Sequence, residues 1–105
     1  MAAIEINIGD ENFNTKKAAT ERCRELLNGG AIDDLITNSR DQKLLETLFY
    51  SRREKLDELN GRKIIGWGRE QNPSTRCFAA LLDDGSKLHF SFPKSIDALI
   101  KRASE

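Results

Sequence analysis

The sequence is poor in the residues that carry most of the chemistry of small proteins. Its 105 residues include two cysteines, one histidine, two prolines, one tryptophan and one tyrosine. Cys23 and Cys77 are too few for a disulfide framework or a zinc site, and no CxxC pair exists. Their expected role is that of small buried hydrophobes. No apolar run approaches the roughly 18 residues needed to span a bilayer. The opening Met1-Ala2-Ala3-Ile4-Glu5 has neither a basic nor an apolar leader region. No membrane contact is expected, and a reducing, cytoplasmic compartment is. P-loop, GxSxG and HExxH motifs are absent, and Gly66-Trp67-Gly68 is too short to cradle a phosphate. No metal or cofactor is expected. Pro73 and Pro93 are the sole prolines, so no Pro-rich linker divides the chain, and no internal repeat is visible. One domain over residues 1–105 follows.

Net charge is missing too. Seventeen basic and 17 acidic residues cancel, which excludes a uniformly basic nucleic-acid coat. The zero is a sum of opposed segments. Residues 1–39 hold four basic and seven acidic residues (−3), residues 40–76 hold nine and six (+3), and residues 77–105 hold four of each.

What is present is periodicity. In residues 3–8, Ile4, Ile6 and Ile8 alternate with Glu5 and Asn7, the period of a half-buried strand, and Gly9-Asp10-Glu11-Asn12 breaks it. A helix capped by Asn14 or Thr15 places Ala19, Cys23, Leu26 and Leu27 on one face. Asn28-Gly29-Gly30 stops it, with glycine available for a left-handed C-terminal position. Ser39 with Gln42 three residues later fits a capping box for a second helix. That helix either continues through Ser51 to Leu59 or breaks near Ser51. Residues 62–69 and 76–82 read as strands around a turn at 71–74. Asp83-Asp84-Gly85-Ser86 is a hairpin loop with Gly85 at positive φ, leading into an alternating strand over 87–92. Pro93 suits the first turn of a closing helix with Ile96, Leu99, Ile100 and Ala103 as its apolar stripe. The predicted class is α+β: three or four helices on one face of a small, mostly antiparallel sheet.

Candidate chemistry lies mainly in the basic middle. Arg52, Arg53, Lys55, Arg62 and Lys63 fall within twelve residues, and Arg69 and Arg76 flank the next turn. They form either a solvated face paired with Glu54, Asp57 and Glu58, or a phosphate-contacting edge, since guanidinium groups bind phosphate bidentately. Trp67 between two glycines is either core or a platform on which a base stacks, and Tyr50 is a second stacking candidate. Asp33-Asp34 and Asp83-Asp84 read as turn and capping residues, because adjacent side chains point apart. His89, the lone histidine, alternates against Leu88 and Phe90, either on the outer sheet face or under a helix. It is a general base only if a carboxylate or thiol lies within reach.

The second half also carries a pattern: Arg76-Cys77-Phe78, Asp84-Gly85-Ser86, Phe90-Ser91-Phe92, then Lys94-Ser95-Ile96. In the first half, Phe13-Asn14-Thr15 with Ala18, then Leu26-Leu27-Asn28, then Asp41 with Leu44-Leu45 and Leu48 continue it. The order and spacing resemble the DCL-like ("defective chloroplasts and leaves") family over about residues 12–97. The resemblance implies a setting in RNA metabolism, since plant members are tied to chloroplast ribosomal RNA processing. It brings no catalytic residue. Ser51 stands nearest the position where the family typically has a histidine, and Lys94-Ser95 stands where it has Lys-Cys. The motif residues Phe78, Phe90 and Gly85 also have a plain structural role as hairpin core and turn. Two functions are therefore expected. One is a non-enzymatic RNA- or nucleic-acid-associated module contacting phosphate through the basic residues. The other is a protein-interaction or adaptor domain. One continuous basic face favours the first, and basic residues interleaved with acids favour the second.

Overall fold

The computed structural model describes residues 5–32, 34–72 and 75–103. Its order is β1 (Ile6–Ile8), β2 (Glu11–Phe13), α1 (Lys16–Asn28), α2 (Ser39–Tyr50), α3 (Arg53–Leu59), β3 (Ile64–Asn72), β4 (Thr75–Leu82), β5 (Lys87–Phe90) and α4 (Phe92–Ala103). Two separate antiparallel sheets form, β1-β2 and β3-β4-β5. The class is α+β as expected, with two small sheets in place of one.

Ile6 and Ile8 are buried as the alternation requires, but residues 9–12 do more than end a strand. Ile8 pairs with Glu11 and Ile6 with Phe13, so Gly9-Asp10 is a two-residue hairpin turn. Gly9 has φ +62°, and a Cβ there would lie 2.8 Å from the Leu44 backbone nitrogen of α2. The turn therefore needs glycine both for its conformation and for its close approach to a helix. Arg22 on α1 ties this hairpin down. Its Nε donates to Glu11 at 2.9 Å and its Nη2 to Asp41 of α2 at 2.6 Å. Those two carboxylates, Glu11 first, raise the affinity of Arg22 for its proton.

Thr15 caps α1, its hydroxyl accepting from the Ala18 N–H. Asn38 caps α2, one residue before the expected Ser39. Its Oδ1 accepts from both Arg40 and Asp41 N–H, while the Gln42 amide donates to the Ile36 carbonyl at 3.1 Å and closes no capping box. The helical middle breaks at Ser51, so Leu56 and Leu59 belong to α3, which packs beside α2 and β5. The strand expected to run to Phe92 ends at Phe90. Ser91 accepts the Ser95 N–H through its carbonyl and starts α4, leaving Phe92 buried as a helical residue.

Trp67, Phe78, Ala80, Leu82 and Phe90 face inward from the three-stranded sheet and meet Cys23 and Leu26 of α1, Phe49 of α2 and Ile96 of α4. Phe49 sits edge-on to Trp67 at 6.0 Å and to Phe90 at 5.5 Å. The connector between α1 and α2 follows the outer edge of β3, where the Ile36 N–H donates to the Trp67 carbonyl at 3.0 Å. A bulge at Ile65 breaks the β3–β4 register and leaves that side chain exposed. Among the described residues, no helix is long and apolar enough to cross a membrane.

Candidate functional site

The basic residues adjacent in sequence do not form one face. α3 is seven residues long, a rod of about 10 Å, and it separates them. At its C-terminal end Arg62 is a clasp. Its Nε donates to the Leu59 carbonyl at 2.9 Å, and its Nη1 reaches Ser86 at 2.9 Å and Asp84 at 3.2 Å in the β4–β5 loop. Asn60 and Gly61, both at positive φ, turn the chain there. The Ser86 hydroxyl and backbone N–H, with Arg62 behind them, hold the Asp84 carboxyl down to about 2. Asp84 and Gly85 (φ +86°) thus build the hairpin loop, as the motif's structural role requires.

Arg69 and Arg76 are spent elsewhere. Arg69 is only 8% exposed, and its Nε and Nη2 both donate to the Leu26 carbonyl, at 2.9 and 2.7 Å. Arg76 Nη1 donates to the Gly30 carbonyl at 2.8 Å and the Leu27 carbonyl at 3.3 Å. Two strand arginines therefore cap the C-terminus of α1, where unpaired carbonyls and the negative end of the helix dipole favour cations. This replaces the left-handed glycine expected there: Gly29 has φ −83°, and Gly30 is absent from the positive-φ glycines. Gly30 leaves room for the guanidinium, because a Cβ there would lie 2.6 Å from Arg69 Nη1 and push it aside. Trp67 is 4% exposed and lies in the aromatic core, so it presents no face to a base. Tyr50 is exposed. Arg53 and Lys63 are exposed, with no ion pair among the described residues.

At the other end of α3 a different cluster forms. Arg52 and Lys55 lie beside Cys77 of β4, His89 and Phe90 of β5, Ser91, and Lys94 of α4, around a depression of about 160 Å³. Among the described residues, three cations and no carboxylate line it. A hollow of about 440 Å³ shares Arg52 and Lys94 and adds Ser51, Glu54, Asp97, Ala98 and Lys101. Beyond Ser51, a third hollow of about 340 Å³ is bordered by Tyr50, Glu46, Thr47 and Leu99. Together they make a groove along α4. Arg52 is its hinge point. The side chain is 12% exposed and its Nε is paired with Glu54, whose carboxyl is lowered by its own backbone N–H and then by Arg52. Arg52 Nη1 is buried with no hydrogen-bond partner among the described residues. Such a donor costs about 1–3 kcal/mol if nothing accepts from it. Lys55 is paired with Glu58 at 3.1 Å, and Lys94 is exposed.

Lys94 and Lys101 were not expected in a phosphate site, because residues 77–105 are neutral as a block. The signal was present in the spacing. Lys94, Ala98 and Lys101 stand at i, i+4 and i+7, one face of a helix opposite its apolar stripe. Of the sequence motif, Cys77, Phe90, Ser91 and Lys94 border the depression, whereas Phe78 is core. Ser51 and Ser95, two of the three positions that depart from the family pattern (the third, Asp57, stands at the family's glycine), meet in space: the Ser51 hydroxyl donates to the Ser95 carbonyl at 3.3 Å.

His89 and Cys77 border the same depression. Burial, then the Glu70 carboxylate, pushes the Cys77 thiol up, which disfavours a thiolate nucleophile. Cys23 is fully buried and is pushed up to about 12 by burial. At pH 8, Cys77 should react with a disulfide reagent slowly, and Cys23 only after denaturant is added. Rapid labelling of two thiols in the native protein would contradict this placement.

No family model and no curated protein matches the chain. Among solved structures, the fold is similar to the solution NMR structure of an uncharacterized protein from Rhodospirillum rubrum. The TM-score is 0.77, with 23% sequence identity over 90% of this chain and 89% of that one. The likeness establishes the α+β fold alone.

Proposed function

We propose that this chain is a small, non-enzymatic module of the cytoplasm that binds single-stranded RNA along the groove between α3 and α4. One observation carries the reading. Arg52, Lys55 and Lys94, from segments about forty residues apart, converge on one depression with no carboxylate among its described lining residues, and Lys94 makes no ion pair among the described residues. Phosphate oxygens are the acceptors that guanidinium and ammonium donors pair with most strongly. Tyr50, exposed at the far end of the groove, supplies a ring on which a base stacks. The resemblance to the DCL-like family supports the same setting, as its plant members are tied to RNA processing.

Fluorescence anisotropy with a labelled single-stranded RNA tests this. Three phosphate contacts give a slope of log K against log salt of about −2. Arg52→Ala combined with Lys94→Ala should weaken binding by about tenfold or more. Absence of binding at low salt, or an unchanged affinity in the double variant, removes the reading. An adaptor role has its own observation, the exposed Leu35 and Ile65 near the β3 edge. It is favoured if a protein partner is recovered after nuclease treatment and RNA titrations are flat.

A further inference from the structure

The geometry points to a phosphomonoester pocket at the β5 end of the groove, bordered by Arg52, Lys55, His89, Ser91 and Lys94. The inference rests on the RNA-binding reading, in that the group it takes would be the terminal phosphate of a strand. Three features separate this pocket from the rest of the groove. The first is charge: Arg52, Lys55 and Lys94 border the depression with no carboxylate among its described lining residues, and while Arg52 is paired with Glu54 and Lys55 with Glu58, Lys94 makes no ion pair among the described residues. A phosphodiester carries one charge, but a terminal phosphate carries about −1.5 to −2 at pH 7. The end that holds Lys94 without a carboxylate partner therefore gains most from the more highly charged group.

The second is size. A space of about 160 Å³ is well under half of the neighbouring hollow of about 440 Å³. It holds a phosphate group and leaves the attached nucleoside in the larger hollow beside it. The third is donor supply. Arg52, Lys55, His89, Ser91 and Lys94, each a residue whose side chain carries a hydrogen-bond donor, border the same space, and the buried Arg52 Nη1 has no hydrogen-bond partner among the described residues. α4 starts at Phe92, immediately after Ser91, so the positive end of a twelve-residue helix adds to the same field. A terminal phosphate has three non-bridging oxygens to place among these donors, and an internal phosphodiester has two.

The test compares one short RNA with a 5′-phosphate, a 3′-phosphate or hydroxyl ends, by anisotropy. One phosphorylated form should bind about tenfold tighter than the hydroxyl form. Lys94→Gln, an exposed substitution that leaves the fold intact, should abolish that difference, as should Arg52→Lys, which keeps the charge but loses the fork. In parallel, inorganic phosphate is titrated into the labelled protein while backbone amide signals are followed by NMR. Shifts of His89, Ser91 and Lys94, lost in Lys94→Gln, support the pocket even if no RNA binds, in which case the RNA reading alone fails and the source is a free phosphate. Equal affinity for all RNA ends, with no shifts from inorganic phosphate, overturns the pocket while leaving RNA binding in place.

Discussion

Replacing Phe49 by Ala is expected to destabilise the protein by about 3–5 kcal/mol, the range for losing a fully buried aromatic ring. Phe49 is 0% exposed and sits where α2 meets the sheet. Its ring packs edge-on against Trp67, Phe90 and Tyr50, at 6.0, 5.5 and 5.7 Å between centroids. Edge-to-face pairs add to the burial term because the ring edge is positive and the face negative. Alanine leaves a hole that Trp67 and Phe90 cannot both fill, since each is held by backbone pairing on a different strand. Urea denaturation followed by Trp67 fluorescence reads the shift directly. Phe49→Leu should cost much less, because it keeps most of the volume. A cost below about 1 kcal/mol for Phe49→Ala would mean that the aromatic cluster is not the centre of the core.

Replacing Arg69 by Ala is expected to cost about 2–4 kcal/mol, and to leave RNA affinity unchanged under conditions where the variant is folded. The guanidinium makes two charged hydrogen bonds to one carbonyl, that of Leu26. Each is worth about 1.5–3 kcal/mol in an ordinary context, though two bonds to one oxygen are not additive. Removal leaves the Leu26 carbonyl to the Gly29 N–H at 3.3 Å, without its charged donors at the negative end of α1, and an empty volume beside Gly30. Gly30→Ala tests the same contact from the other side. Its methyl would fall 2.6 Å from Arg69 Nη1 and displace the guanidinium. Denaturation midpoints of the two variants and of their double mutant check this. If the pair acts through one contact, the double mutant is less destabilised than the sum of the singles. A strong loss of RNA binding in a folded Arg69→Ala protein would instead return Arg69 to the phosphate-contacting set.

Most of the fold is legible in the sequence because its elements keep their periods. Ala19, Cys23, Leu26 and Leu27 fall on one face of α1, and Phe78, Ala80 and Leu82 on one face of β4, as their spacing dictates. The β4–β5 loop is legible because Asp-Asp-Gly-Ser matches the chemistry of a tight turn. The N-terminal hairpin is not, since each of its strands has only three residues and β2 has no apolar alternation. Its stability comes from Arg22 and from the packing of Gly9 on α2, both tertiary. The site was half legible. An arginine that caps a helix and one that contacts phosphate are the same letter. Nothing local says that Arg69 and Arg76 point to α1, or that Arg62 clasps Asp84. Likewise, seven residues of helix part Arg52 from Lys63, while the chain's return through β5 brings Lys94 to Arg52. The balanced sum of charges concealed a local imbalance assembled only by folding.

On the proposed function, phosphate contact belongs to the α3–α4 groove and not to the basic stretch as a whole. Lys94 and Lys63 are both exposed lysines, but Lys94 borders the depression, and Lys63 lies at the opposite end of α3, where its carbonyl accepts the Asp83 N–H. Charge reversal at each, read by RNA anisotropy at one low salt concentration, separates the two ideas. The expected result is that Lys94→Glu weakens binding by more than about tenfold while Lys63→Glu changes it by less than about twofold. An equal or larger loss in Lys63→Glu would contradict the groove.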